Sequence, residues 1–275
     1  MEGALRDRVS FVLLTLMAIY AAARPLQSFP DRVPMLAIVF LHVVPAALFA
    51  LLHGALAYRV RGILVFAILC LGVGNFFENL GILTGFPFGS YSFTDVMGPK
   101  ILNVPILLGL AYLGMGYLSW TLARLILRQD RVFALPLLAS CIMVSWDLSM
   151  EPVWATMVHG WNWWKGGPYF GVPVSNFLGW YLTVYVFYQL FALYLRSRSI
   201  VTGSPGPGFW RLAVLFYAVS AAGNLLVIPP RGLHTVADAT GAQWQVSDIR
   251  CVSALVSIFI MGTFSLLAWR RVPSS

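Results

Sequence analysis

Charge is what this sequence has least of. Only 10% of its 275 residues are charged and 59% are hydrophobic, whereas a soluble domain carries about 25% and 45–50%. Both departures point to a membrane protein. Cysteine is also scarce: Cys70, Cys141 and Cys251 each lie inside an apolar run, with no CxxC or Cys/His spacing. A disulfide framework and a zinc site are therefore not indicated, and the three read as small buried hydrophobes. There is no GxGxxG, P-loop, Ser-His-Asp order, HExxH, DxxxD or di-iron His-box, which disfavours nucleotide use, proteolysis, prenyl transfer and iron desaturation. Period-two alternation is missing, which argues against an outer-membrane barrel. A basic face is missing too, so the net charge of +8 does not indicate nucleic acid.

What is present is a series of long apolar runs. A helix needs roughly 20 apolar residues to cross a bilayer. Hydropathy gives eight spans: Val9–Ala23, Pro34–Tyr58, Ile63–Leu83, Ile101–Leu127, Val132–Met150, Pro173–Leu195, Phe209–Ile228 and Ile249–Trp269. Backbone in lipid must satisfy itself, so these are helices. The expected fold is an all-α polytopic transmembrane bundle of about eight helices, one domain spanning residues 1–275. Its most linker-like piece is Ser197–Gly208. The first run ends in Ala21-Ala22-Ala23, resembling a signal-peptidase site; a retained helix balances the topology better. With the N-terminus cytoplasmic, twelve of the eighteen Lys and Arg fall inside and six outside, so both termini are expected in the cytoplasm. Glu78, Asp95, Asp147, Glu151, Asp238 and Asp248 then fall near the outer face.

Two outer connections are unusual. Gly81–Lys100 and Glu151–Val172 are rich in Gly, Pro and aromatics, a composition suited to folding back and packing rather than to a linker. Both run from an acidic helix end through Gly89-Ser90-Tyr91 or Gly167-Pro168-Tyr169 to Val104-Pro105 or Val172-Pro173, with proline in a first helical turn. Internal duplication and chance similarity both account for this order.

The candidate chemistry lies here. An acid within a span is a site candidate by default; the competing account of Glu78 and Asp147 is a structural carboxylate bonded to backbone or to Asn75, Asn79 or Asn162. Asp147 and Glu151 share a helix face if the helix reaches Glu151, although Pro152 disfavours helix there. Two such carboxyls in a poorly solvated site do not both ionise easily, which leaves a general acid beside a carboxylate base. An interfacial belt accounts for two or three Trp per face, but less well for the five in Trp146–Trp164 (Trp146, Trp154, Trp161, Trp163, Trp164), joined by Tyr169, Phe170 and Trp180. Indole faces stabilise cations. An acid among indoles suits a carbocation made by protonating an alkene. His42 and His53 read as structural or water-facing, His159 is a candidate to join the site, His234 is unassigned, and Asn224 reads as an interhelical hydrogen bond.

Glu78-Asn-Leu-Gly-Ile-Leu-Thr84-Gly-Phe-Pro-Phe-Gly-Ser-Tyr91, Gly98-Pro99 and Asn103-Val-Pro105 resemble the bacterial and archaeal carotenoid biosynthesis membrane proteins of the CruF type. Asp147, Glu151-Pro152, Trp161 to Trp164, Gly167-Pro-Tyr-Phe-Gly-Val-Pro173 and Asn176-Phe-Leu-Gly-Trp180 agree. The resemblance covers roughly Asn75–Trp180. It implies a prokaryotic cytoplasmic membrane and a hydratase that adds water to the terminal isoprenoid double bond of an acyclic carotenoid end group, giving a tertiary alcohol. Chemistry then gives the roles. Asp147 protonates the alkene, aromatic faces hold the tertiary cation, and water positioned by Glu78 or Glu151 attacks it. No metal or redox cofactor is needed. The expected partners are the polyene, water, the bilayer and possible other carotenoid-pathway enzymes; the expected pocket faces the extracytoplasmic side. Tyr91, Asn75, Thr84, Asn176 and Trp180 join the aromatics and His159 as candidate substrate contacts. The alternatives are an end-group cyclase, which quenches the same cation with an internal alkene, and a lipid or small-solute carrier.

Overall fold

The computed structural model describes residues 2–29, 32–128, 131–198, 206–226 and 232–273. Most of the linker-like segment (199–205) and Arg231 lie outside the described residues. The helices are α1 (Glu2–Leu26), α2 (Met35–Thr84), α3 (Ile106–Leu127), α4 (Ala134–Pro152), α5 (Val174–Ser197), α6 (Pro207–Leu226), α7 (Val246–Leu255) and α8 (Gly262–Arg271). A π-helical stretch, Val256–Met261, joins α7 to α8 as one long helix. Among the described residues, seven helices are long and apolar enough to cross a membrane.

One of the seven is a hairpin. At 1.5 Å per residue, the 50 residues of α2 would extend about 75 Å, against a bilayer core of ~30 Å. Arg59 breaks the helix, with φ of 61°. His53 Nδ1 lies 2.7 Å from the Tyr117 hydroxyl, and Phe66 packs edge-on to the same ring at 6.0 Å. In a straight helix those two residues would be roughly 20 Å apart. The chain therefore folds back at Arg59, and the arms 35–58 and 60–84 correspond to the two spans read from hydropathy. Eight apolar segments result, with the N- and C-terminal ends at the same end of the bundle, opposite the two aromatic connections.

α3 is the central helix: nearly its whole length is buried, while α1 and the last helix stand at the periphery. Small residues allow this. A Cβ on Gly114 would sit 2.7 Å from Ala46 Cβ and 2.9 Å from the Ala46 carbonyl carbon, so only glycine permits the backbones to approach so closely, as membrane helix pairs favour. Outward apolar side chains such as Phe11, Ile68 and Phe259 face the lipid. Cys141 and Cys251 are also exposed, and only Cys70 is buried. This corrects the expectation of three buried cysteines; an apolar run marks a helix but not which face of it is inside.

Short strands organise the connections: β1 (Tyr91–Phe93), β2 (Lys100–Ile101), β3 (Val104–Pro105), β4 (Trp161–Trp163), β5 (Thr235–Ala237) and β6 (Gln243–Gln245). β1 pairs with β4 antiparallel, with Tyr91 opposite Trp163 and Phe93 opposite Trp161. The two aromatic connections are thus stitched together over the helix ends. Side chains alternate across a strand, so Tyr91, Phe93, Trp161 and Trp163 all turn inward, while Ser92 and Asn162 are only partly buried. Pro105 and Pro173 stand at the N-caps of α3 and α5.

Candidate active site

Three carboxyls are buried at this end of the bundle: Glu78, Asp147 and Glu151, at 3%, 0% and 1% exposure. Each is held by different donors. Glu78, in the last turns of α2, accepts from the Tyr112 hydroxyl of α3 at 2.6 Å and from the Tyr91 hydroxyl of β1 in a very short bond. Burial, followed by the negative charge of Glu78, pushes the Tyr91 phenol well above its ordinary range, so it remains a donor. Glu151 Oε1 accepts two indole N–H groups, Trp161 at 2.6 Å and Trp163 at 2.9 Å. The inward turn of β4 delivers both. Asp147 Oδ2 accepts from Asn176 Nδ2 at 3.3 Å. Its Oδ1 finds no hydrogen-bond partner among the described residues, and Glu151 follows one turn later on α4, on the same helix face. No Lys, Arg or His forms an ion pair with any of the three among the described residues.

Asp147 and Glu151 meet because the helix does not stop where the sequence suggests. α4 runs through Pro152 into a π-helical turn, Val153–Met157, which corrects the expected end at Glu151. Pro152 lacks an N–H, so the Leu148 carbonyl loses its helical donor; the Tyr169 hydroxyl replaces it at 2.8 Å. The Ser149 carbonyl is served by Ser253 Oγ of α7 at 2.6 Å. Burial and the nearby carboxyls raise the Tyr169 phenol to about 12.

A cavity lies between Glu78 and Glu151, walled by Phe93, Leu108, Trp163 and Trp180 among others. It offers about 20 Å³ to the centre of a water molecule, and one water needs roughly 10–15 Å³. Asp147 does not line it. Trp180 stacks on Tyr112 at 4.3 Å with planes 2° apart, and Trp163 lies 4.8 Å from Tyr91. Leu108 and Trp161 separate this cavity from an apolar crevice of about 60 Å³, bounded by Trp146, Trp154 and Met150.

The remaining candidates divide. Trp154 and Trp146 belong to the crevice. Asn75 does not reach Glu78: it accepts from Asn79 at 3.1 Å, and Asn79 in turn accepts from Asn103. Thr84 is exposed and bonds the Leu80 carbonyl. His159 is exposed, with φ of 53°. Trp164 is 56% exposed, the one tryptophan of its cluster suited to an interfacial belt. These four stand away from the carboxyls. His53 is structural, bonded to Tyr117 and the Phe209 carbonyl. Asn224 bridges helices through Ser149 and Ser257. Sequence reasoning missed Tyr112; its sole signal is a hydroxyl-bearing ring within an apolar run two turns after Pro105. Among the described residues, no group of three His, Cys, Asp or Glu is arranged to hold a metal ion.

A family model described as "carotenoid biosynthesis protein" matches residues 32–230. That range takes in all three carboxyls, both aromatic connections and most of the apolar crevice. Comparison with curated proteins and with solved structures gave no match.

Proposed function

The chain belongs to the carotenoid biosynthesis protein family, and from that premise we propose that it is a carotenoid hydratase, adding water to the terminal isoprenoid double bond of an acyclic end group. The observation that carries this reading is a cavity sized for one water, bordered by two carboxyls and set beside an apolar crevice. The polyene tip enters from the crevice past Leu108 and Trp161. The Asp147–Glu151 pair holds the catalytic proton. Glu151 borders the cavity and Asp147 lies behind it, so we assign delivery to Glu151, with Asp147 as the group that holds and returns the proton. The direct donation by Asp147 favoured from sequence becomes an indirect one.

The proton adds to the less substituted alkene carbon. The positive charge that develops on the tertiary carbon faces the rings of Trp163, Trp180 and Tyr91. Glu78, fixed by two phenol donors, orients the water and takes its proton as the C–O bond forms. One water is consumed and one tertiary alcohol forms; the proton taken by Glu78 passes to Glu151 through the next water to enter the cavity they share, which restores the pair. A residual negative charge on Glu78 also stabilises the cation electrostatically.

The topology supports an extracytoplasmic site. With eight crossings, twelve of eighteen basic residues fall on the side of the termini, which the positive-inside rule makes cytoplasmic. The test is expression in a host that makes acyclic carotenoids, followed by mass analysis of the pigments. Hydration adds one water to the end group. A pigment changed in absorption with no change in mass would mean cyclisation, and an unaltered pigment pool would end the enzymatic reading.

A further inference from the structure

A second pocket lies beside the crevice, sharing Arg24, Met150 and Trp154 with it. Its polar wall is made of Arg24, Gln27, Asn224, Arg250 and Ser253, whose hydroxyl is spent on the Ser149 carbonyl, and no carboxylate lines it. Arg24 is only 4% exposed. It donates to the Ser220 carbonyl at 3.2 Å and lies over the Tyr20 ring, while its Nε finds no acceptor. Among the described residues neither arginine has a carboxylate within ion-pair distance. Asn224 uses its amide hydrogens on two serines, and Gln27 turns its amide to His42. The arginines therefore carry whatever the pocket binds.

An unpaired guanidinium buried in a membrane bundle is costly to maintain, yet the fold goes out of its way to keep this one. A Cβ on Gly223 would meet Arg24 Cγ at 2.6 Å, so α6 carries glycine where the arginine stem crosses it. Two arginines lining one pocket without a carboxylate suit an anion with several acceptor oxygens. The pocket lies where α1 ends and α7 begins, and the end of a spanning bundle is where lipid headgroups would meet it. We propose that this pocket binds a phosphate group, carried by a phospholipid headgroup or as free phosphate. This proposal is independent of the hydratase reading, because it uses none of the three carboxyls.

The test uses the full chain, delipidated in a neutral maltoside detergent, with thermal unfolding followed by tryptophan fluorescence. Phosphatidylglycerol, diacylglycerol and inorganic phosphate at matched ionic strength are the probes. A binder of the folded state raises Tm with concentration. Phosphatidylglycerol is expected to raise Tm, diacylglycerol to leave it unchanged, and Arg250→Gln to weaken the apparent affinity at least tenfold. Arg24→Gln is expected to do the same; should it fail to fold, Arg250→Gln, which leaves the buried contacts in place, decides the matter. A shift with inorganic phosphate as well means a site open to free anion; a shift with the lipid alone means a headgroup site. An equal response to diacylglycerol, an unchanged affinity in Arg250→Gln, or no response to either phosphate compound would overturn the proposal.

Discussion

Replacing Asp147 with asparagine separates the proton from everything else the side chain does. The two residues have the same shape, and the variant keeps the hydrogen bond from Asn176. The carbonyl oxygen of the introduced amide replaces Oδ2 as acceptor for Asn176, 3.3 Å away. The amide nitrogen takes the place of Oδ1, which has no hydrogen-bond partner to lose. A hydrogen bond of this kind contributes about 1 kcal/mol and is retained, so folded protein should accumulate at near wild-type levels. What vanishes is the shared proton. A positioned general acid contributes about 10²–10⁴ in rate, equivalent to roughly 2.7–5.4 kcal/mol of barrier. The assay is pigment mass analysis in a host making acyclic carotenoids, normalised to protein in the membrane fraction. Asp147→Asn should lower the hydrated product at least a hundredfold. Turnover within tenfold of the native protein, at equal protein level, would refute the pair as the proton source.

Two further outcomes follow from the geometry around the site. Tyr169→Phe removes the donor that replaces the missing Pro152 N–H and leaves the Leu148 carbonyl unpaired, a loss of about 1–3 kcal/mol; its Tm should fall by several degrees, while Tyr181→Phe, whose exposed hydroxyl reaches Leu137 at only 3.5 Å, should scarcely move it. Asp238 holds the β5–β6 hairpin by accepting from Thr240, Ala242 and Trp244, bonds that outweigh partial burial and lower its pKa. A depressed carboxyl stabilises above its unfolded value, about 3.9, and the contribution is lost as pH falls through the lower folded value. Hydrogen exchange over residues 235–245 should therefore accelerate in strong acid before the helices lose protection, and Asp238→Asn should abolish that pH step.

The spans were legible because lipid imposes length and apolarity on every crossing, and even the hairpin at Arg59 shows as two basic residues between apolar runs. The acids were legible for a related reason: Glu78, Asp147 and Glu151 stand out where almost nothing else is charged. Direction was not. The same motif holds Trp163, which bonds Glu151, and Trp164, which faces out. One position along a strand reverses a side chain, and the strand appears only when two connections some seventy residues apart pair. Tyr112 was hidden because a phenol in an apolar helix gives no sign of which neighbour it will meet. Pro152 misled because a helix-breaking rule is local, whereas the hydroxyls that repair the break come from Tyr169 and Ser253, well beyond its reach in sequence.

Hydration in a membrane poses a problem of dosage. A tertiary cation in bulk water is captured at once, but a polyene does not enter bulk water; in lipid the cation has no nucleophile and returns its proton. Under the proposed reaction, the arrangement here would answer both. The crevice is lined mostly by apolar side chains, so a polyene held there would stay in a lipid-like medium. The carboxyl-lined volume bordering it accommodates one water between Glu78 and Glu151. If that volume governs the outcome, filling it should change the product before it changes binding. Leu108 stands between cavity and crevice, and enlarging it to Phe would press on the water position while leaving all three carboxyls and their donors untouched. Loss of alcohol with continued proton exchange into the alkene, read as deuterium gained by preformed unlabelled substrate when membranes are incubated in heavy water, would place the block at water capture. Loss of both would mean that the bulkier side chain simply bars the polyene, and the role given to the single water would have no support.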